Sequence, residues 1–276
     1  PIIYQYFRVF GRAPEYFSSR AKYKQIYKLE MKLSQIADIN IQLSNSNAQW
    51  VKDQYKVDSK VIYLPINPAF KMNIDMIIGN PPAKEEYIKL FYQRKTNNFL
   101  NFICISRISP EKQVHRLINL MHNLPAFCIL TLFGEPIDQQ YYSDLVALIQ
   151  KFKLENRIKI RGRTEKETII REMGSATFYL HPSSYEPYGL AIMEAAYAYL
   201  PILLDNSEDI GAGEILDKYN ACFRINLDFP GKSAKEIINI LDQPEFIYNL
   251  GINAREVANS ITTKSNIEKI LKLSLN

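Results

Sequence analysis

The chain has 276 residues, 47% hydrophobic and 23% charged with a formal net charge of +5, the profile of a water-soluble globular protein with ample material for a core. Its longest apolar runs, such as residues 127–133, are strand-length and argue against a membrane-spanning helix. Three cysteines, Cys104, Cys128 and Cys222, are an odd number in apolar, strand-like stretches with no CxxC or HExxH spacing, which argues against a zinc site and for free thiols in a reducing cytosol.

In chain order, the opening at Pro1, soon followed by Arg8 and Arg12, lacks the apolar core of a signal peptide. Tyr23, Ile26, Tyr27, Leu33 and Ile36 then form a helical apolar stripe, with Lys22, Lys24, Lys28 and Lys32 on the other faces. The pattern predicts a helix that packs through this stripe, with contact to a membrane surface as the alternative. A short strand follows at 39–43, then a helix opened by Ser44 or Asn45, then a strand at 60–64. Residues 71–98, with Gly79-Asn80-Pro81-Pro82 inside, predict a linker or insertion. From Phe99 onward strands and helices alternate, the rhythm of a parallel α/β domain. The strands are predicted at 99–106, 127–133, 157–161, 177–181 and 201–205, and the helices at 111–124, 139–152, 166–173 and 187–198. The strands are nearly continuous in apolar residues, as in a sheet covered on both faces. The final stretch predicts helices, with Pro244 between two of them.

Charge is unevenly placed: residues 1–95 hold 15 Lys+Arg against 8 Asp+Glu, or +7, and the remainder holds 19 against 21, or −2. A basic front end fits an anionic partner, and a lipid surface or phosphorylated acceptor suits better than nucleic acid, for which no binding motif is present. A solvated basic face accounts for it equally.

Three clusters fall just after predicted strands, where a Rossmann-like sheet places its ligands. In Ser106-Arg107-Ile108-Ser109-Pro110-Glu111-Lys112 two cations on one strand-to-helix turn can close on a phosphate pair, and the helix start adds backbone donors. Leu132-Phe133-Gly134-Glu135-Pro136 and Arg161-Gly162-Arg163 put a glycine where backbone approaches a ligand or a neighbour. Each of these, taken alone, fits a plain surface turn as well. The specific cluster is His181-Pro182-Ser183-Ser184-Tyr185-Glu186-Pro187-Tyr188-Gly189-Leu190-Ala191-Ile192-Met193-Glu194-Ala195. Glu186 and Glu194 bracket a helix start, and eight helical residues rise about 12 Å, roughly the span from the ribose of a sugar nucleotide to its sugar. A diphosphate repels carboxylates, so the pair suits hydroxyl recognition at the two ends: Glu194 on the ribose diol, Glu186 on the sugar. Gly189 and Leu190 lie between them, where helix-start amides can meet phosphate oxygens.

Ser-Arg-x-x-Pro-Glu-Lys, Phe-Gly, Arg-Gly-Arg and Pro-Ser-Ser-Tyr-Glu-Pro-Tyr-Gly-Leu-Ala-Ile-Met-Glu-Ala, in this order over residues 99–260, resemble glycosyltransferase family 4, the glycosyl transferases group 1 domain. The EX7E element at Glu186 and Glu194 is its strongest signature. The resemblance implies an α/β fold of the GT-B type: a complete C-terminal Rossmann-like, donor-binding domain with a parallel sheet at 99–260. Residues 1–66 look like the trailing part of an incomplete N-terminal, acceptor-side Rossmann-like domain; 67–98 join the two, and 261–276 form a C-terminal helix packing back on the N-terminal part. The implied activity is transfer of a hexose from a nucleoside-diphosphate sugar to an acceptor hydroxyl, with retention. No cofactor beyond that donor is implied, and no metal, since the sequence has no Asp-x-Asp. On this resemblance Arg107, Lys112 and Glu186 are catalytic, the two cations stabilising the departing diphosphate. Gly134, Gly162, Arg163, Ser183, Tyr188, Gly189, Leu190 and Glu194 bind the donor, and His181 closes a strand beside them. Ser106 and Gln113 stand where the family often has glycine, Gly134 is not followed by a second one, and Leu200 replaces one before Pro201.

The partners implied are a nucleotide sugar and a glycan or lipid-linked acceptor, met in the cytoplasm or peripherally on the inner face of the membrane. Because much of the acceptor-side domain is missing from the sequence, the alternative is a nucleotide-sugar-binding module that acts only with a partner subunit. A sugar-nucleotide epimerase is disfavoured by the lack of a GxGxxG turn.

Overall fold

The computed structural model describes residues 20–97 and 99–274, so the opening at Pro1, Arg8 and Arg12 lies outside the described residues. Helix α1 (Arg20–Ile36) precedes a small βαβ unit of β1 (Ile41–Gln42), α2 (Asn45–Tyr55) and β2 (Lys60–Val61). The two short strands are parallel, Ile41 opposite Lys60 and Gln42 opposite Val61. Helix α2 starts where extended Ser44 accepts the Asn47 N–H at 3.2 Å, satisfying one of the amides a helix start leaves open. Helix α1 seats on α2 through Tyr27, whose ring meets Tyr55 edge-on at 5.4 Å, and through Glu30, which accepts the Tyr55 hydroxyl at 2.7 Å. This contact is rotated from the predicted stripe: Leu33 and Ile36, expected to pack, are exposed together with Leu29, while Tyr23 lies outside the described side chains.

The stretch predicted as a linker or insertion folds as two helices, α3 (Pro68–Ile77) and α4 (Lys84–Thr96), around a turn at 79–82 in which Gly79 has φ +68°. Pro68 occupies the first helical turn and Asn67 caps the Ala69 N–H at 2.9 Å. Phe70, Ile74 and Ile77 recur at helical spacing in α3, and Tyr87 and Phe91 in α4, so each helix packs through one apolar face.

Six strands then form one wholly parallel sheet: β3 (Leu100–Ile105), β4 (Cys128–Phe133), β5 (Ile158–Gly162), β6 (Phe178–Leu180), β7 (Ile202–Asp205) and β8 (Cys222–Ile225), in the spatial order β5-β4-β3-β6-β7-β8. Strand β8, absent from the predicted strands, pairs with β7 at the edge. The helices between and after them are α5 (His115–Asn123), α6 (Gln139–Lys151), α7 (Lys166–Ser175), α8 (Leu190–Tyr197), α9 (Gly211–Lys218), α10 (Pro230–Ile240), α11 (Pro244–Ser260) and α12 (Thr263–Ser274). Successive strand residues point to opposite faces. Phe102 and Cys104 therefore join Leu117 of α5, Leu145 of α6 and Ile237 of α10 in one core. Ile103 joins Ile74 of α3, Ile170 of α7, Met193 of α8 and Ala254 of α11 in the other. The expected α/β class with a parallel sheet covered on both faces holds. Strand order reverses between β3 and β6, and a doubly wound sheet opens its ligand crevice beyond the carboxyl ends of the strands at such a reversal.

Cys104 and Cys128 are buried and Cys222 half-buried, all as free thiols. Among the described residues no helix is long and apolar enough to cross a membrane.

Candidate active site

The turn after β3 is tied to the turn after β4: Ser106 donates to the Phe133 carbonyl at 2.9 Å and Ile108 to that of Glu135 at 3.0 Å. A Cβ on Gly134 would lie 1.7 Å from the Ser106 carbonyl oxygen, so the neighbouring strand end by itself requires glycine there. Gly162, at φ +64°, accepts the Gly134 N–H at 3.0 Å, and Arg163 next to it is exposed. The helix predicted from Glu111 is interrupted. Residues Pro110–Lys112 form one turn of 3-10 helix, Gln113 takes the left-handed conformation at φ +52°, and α5 begins only at His115. This interruption carries Lys112 inward, its Nζ 2.5 Å from Glu186 Oε2 with the two side chains 12% and 15% exposed. Arg107 does not join them: its side chain is 61% exposed and lies 3.6 Å from Glu111, so the expected convergence of two cations on one point is realised by Lys112 alone.

The loop after β6 is held from both sides. Buried Ser183 donates its hydroxyl to the Lys112 carbonyl at 3.3 Å. The Glu186 N–H donates to the Asp209 carbonyl, and the Glu186 carbonyl accepts the Gly211 N–H, both at 2.9 Å, prolonging the sheet by one rung. Gly189, at φ +96°, turns the chain into α8, which starts at Leu190 and not at 187 as predicted. Glu186 therefore reaches in from extended backbone and only Glu194 is helical, so a helical rise does not set the distance between them. Leu190 is exposed at the first helical position. Tyr188, expected against a donor, donates its hydroxyl to the Leu64 carbonyl at 2.8 Å and stacks on Tyr63 at 6.1 Å. Its side chain is thus committed to the N-terminal part, because a buried phenol needs a partner for its proton.

Two groups at this edge have displaced ionisation. Burial pushes the Glu194 carboxyl up to about 7, opposed by Lys166. Burial pulls the His181 imidazole down to about 4; Glu186 opposes this, while Lys112 and Arg224 add to it. Both ring nitrogens of His181 are buried without a hydrogen-bond partner, and Nε2 stands 3.7 Å from Glu186 Oε2. A neutral imidazole with unused nitrogens, beside a carboxylate–ammonium pair, offers both a donor and an acceptor to a hydroxylated ligand.

Two sets of long-range contacts around the site were not legible in the sequence. Glu214, in the first turn of α9, accepts the Asn45 N–H at 2.8 Å and the Ser46 N–H at 2.9 Å, capping α2 from across the fold. Asn47 of α2 accepts the Tyr185 hydroxyl at 3.0 Å, so the N-terminal part docks directly on the loop carrying Glu186. The capping cluster Ser44-Asn45-Ser46 was the one signal of this. The other set is that of buried Arg116, which donates to Asp205 at 2.7 Å and Asp228 at 2.8 Å; an arginine inside a helix reads locally as a solvated one.

Lys112, Glu186 and Glu194 all fall inside residues 88–257, the segment matched by the model of the glycosyl transferases group 1 family, which covers more than half of the chain. The chain belongs to that family. The chain is 25% identical over 130 residues to the phosphatidylinositol N-acetylglucosaminyltransferase gpi3 subunit of Schizosaccharomyces pombe, which is 47% of this chain and 28% of the relative. Its fold is similar to sucrose-phosphate synthase from Thermosynechococcus elongatus, with a TM-score of 0.77 at 18% identity over 99% of this chain and 65% of that one. It is also similar to Anabaena HepE in complex with UDP and glucose, with a TM-score of 0.72 at 23% identity over 95% of this chain and 68% of that one. The GT-B fold follows from these neighbours. The chain thus spans less than a third of the S. pombe relative and about two thirds of the structural neighbours.

Proposed function

We propose that the crevice at the carboxyl edge of β3 and β6 binds a nucleoside-diphosphate sugar and that the protein transfers the hexose to an acceptor hydroxyl with retention and without a metal. The observation that carries this is the Lys112–Glu186 contact at the strand-order reversal, between two turns 74 residues apart in sequence. In this reading Lys112 leaves Glu186 for the diphosphate as the donor enters, and its charge meets the charge growing on the leaving phosphate, an effect largest in the transition state. Arg107, 61% exposed on its turn, leaves Glu111 and closes over the same phosphates. The Leu190 end of α8 supplies amide donors, Glu194 takes the ribose diol, and Glu186 with the unused His181 nitrogens takes the sugar hydroxyls. Retention rests on the family resemblance. We assign residues 99–260 to the donor domain and the βαβ unit of β1, α2 and β2 to the acceptor side.

A second reading, a donor-binding module that works with a partner subunit, is favoured by the two-residue strands β1 and β2, too small a sheet to stand alone. Exposed Leu29, Leu33 and Ile36 beside Lys28 and Lys32 support peripheral contact with a lipid surface on the cytoplasmic side. The test is calorimetric titration with UDP and GDP, together with transfer or hydrolysis of the matching nucleotide sugar by wild type and Lys112→Ala. Turnover should fall about a hundred-fold or more in the variant, as for loss of one charge-stabilising group. Near-normal turnover, or no binding of either nucleotide, refutes the proposal; binding without turnover favours the second reading.

A further inference from the structure

We infer that Gln113 and Arg116 are positioning residues that set the Lys112–Glu186 distance; this rests on the catalytic reading of that pair. Lysine and glutamate side chains are long, and a 2.5 Å contact between two turns holds only if the turns themselves are locked together. The Gln113 amide oxygen is the lock. It accepts the Ser184 N–H at 2.8 Å, two residues before Glu186, and Arg116 Nη1 at 3.4 Å, while its own backbone directly follows Lys112. Arg116 Nη1 also donates to the Pro182 carbonyl at 3.1 Å, in the same loop as Glu186.

Arg116 is in turn anchored from below. Its Nη2 donates to Asp205 Oδ2 at 2.7 Å and to Asp228 Oδ1 at 2.8 Å. Asp205 itself accepts the Leu227 N–H at 3.2 Å and the Ser207 N–H at 3.1 Å. Arg116, 5% exposed, thus joins the segments following β3, β6 and β8 to the end of β7. A planar fork with fixed donors can address such a set of acceptors at once, and a lysine ammonium cannot.

Gln113 points the same way through its backbone. At φ +52° and ψ +35° it sits in the left-handed region, where a Cβ is strained and a glycine is not. If the turn served shape alone, glycine would serve better; the amide group is what the position retains. Gln113→Gly therefore separates the two roles, since it relieves the strain and deletes the link.

The test compares wild type, Gln113→Gly and Arg116→Lys by the 1H–15N signal of the Lys112 ammonium, assigned through its loss in Glu186→Gln, and by kcat and KM for transfer. Wild type should show a slowly exchanging ammonium signal that both variants lose. In Gln113→Gly kcat should fall about ten- to a hundred-fold with KM within about two-fold, as for a misplaced reacting group. The thermal midpoint of that variant should stay within about 3 °C, since strain relief offsets the lost hydrogen bonds. A Lys112 signal unchanged in both variants, or lost with kcat unchanged, overturns the inference. If wild type neither binds a nucleoside diphosphate nor transfers sugar, the crevice is not a donor site. The ammonium signal then still decides whether Gln113 and Arg116 hold Lys112 on Glu186.

Discussion

His181 offers a measurement that reads the interior of the crevice without any ligand. In the unfolded chain its imidazole protonates near 6.5, but in the folded protein burial without a partner holds protonation off until about 4. Between those values the unfolded state binds the extra proton, so stability rises with pH across the window and is lost as the medium is acidified. The gap from 6.5 to about 4, at about 1.4 kcal/mol per pH unit, makes the loss about 3 kcal/mol by pH 4. Urea unfolding of wild type and His181→Phe from pH 7.5 to 4 isolates this contribution. Any packing penalty of the phenyl ring is the same at every pH and drops out of the difference. Glu186, Lys112 and Arg224 act on the imidazole, and Glu186 alone of these opposes the shift, so the comparison is repeated in the Glu186→Gln background. Wild type should lose about 3 kcal/mol more than the variant on acidification. Parallel curves would refute the reasoning and mean that water or a neighbour satisfies the ring.

Glu194 should show the opposite sign. A carboxyl raised to about 7 binds its proton more tightly folded than unfolded, so it lowers stability as pH rises from about 4.5 to 7, and Glu194→Gln should flatten that decline. If its carboxylate accepts from the ribose diol, nucleoside diphosphate binding at pH 7 should release protons from Glu194. Calorimetry in buffers of different ionisation enthalpy reads this, and equal release by Glu194→Gln would remove Glu194 from the donor site. Glu214→Gln should destabilise the fold by about 1–2 kcal/mol, because two helix-start amides of α2 lose a charged acceptor. Amide hydrogen exchange at Asn45 and Ser46 should accelerate in this variant, and unchanged exchange would show that water caps the helix equally well.

The strands of the sheet were legible because apolar continuity is a local property: 127–133 differs from observed β4 by one residue at its start, and 201–205 from β7 likewise. Helices α3 and α4 were not, since the Gly79-Asn80-Pro81-Pro82 turn between them marks a linker locally, although Phe70, Ile74 and Ile77 recur at helical spacing. The start of α8 was misplaced by three residues because Pro187 is a good first-turn residue, while the left-handed Gly189 actually turns the chain. Of the crevice, Lys112, Glu186 and Glu194 could be singled out from spacing and chemical type. Arg107 was grouped with Lys112 by proximity in sequence, yet its side chain turns to Glu111 and solvent. Tyr188 was grouped with its neighbours in the motif, yet its hydroxyl answers to Leu64, a residue 124 positions away.

By itself the sequence determined the class of fold and the chemical kind of the crevice groups. Strand length, apolar runs and the order of the motifs are written in consecutive residues. Only the tertiary structure decided which of those groups meet. Turns distant in the chain are brought to one edge by the reversal between β3 and β6, where half-buried Gln113 and buried Arg116 hydrogen-bond to the loop that carries Glu186. Long-range contacts of that kind leave no periodicity behind, because each is a single pairing rather than a repeated one.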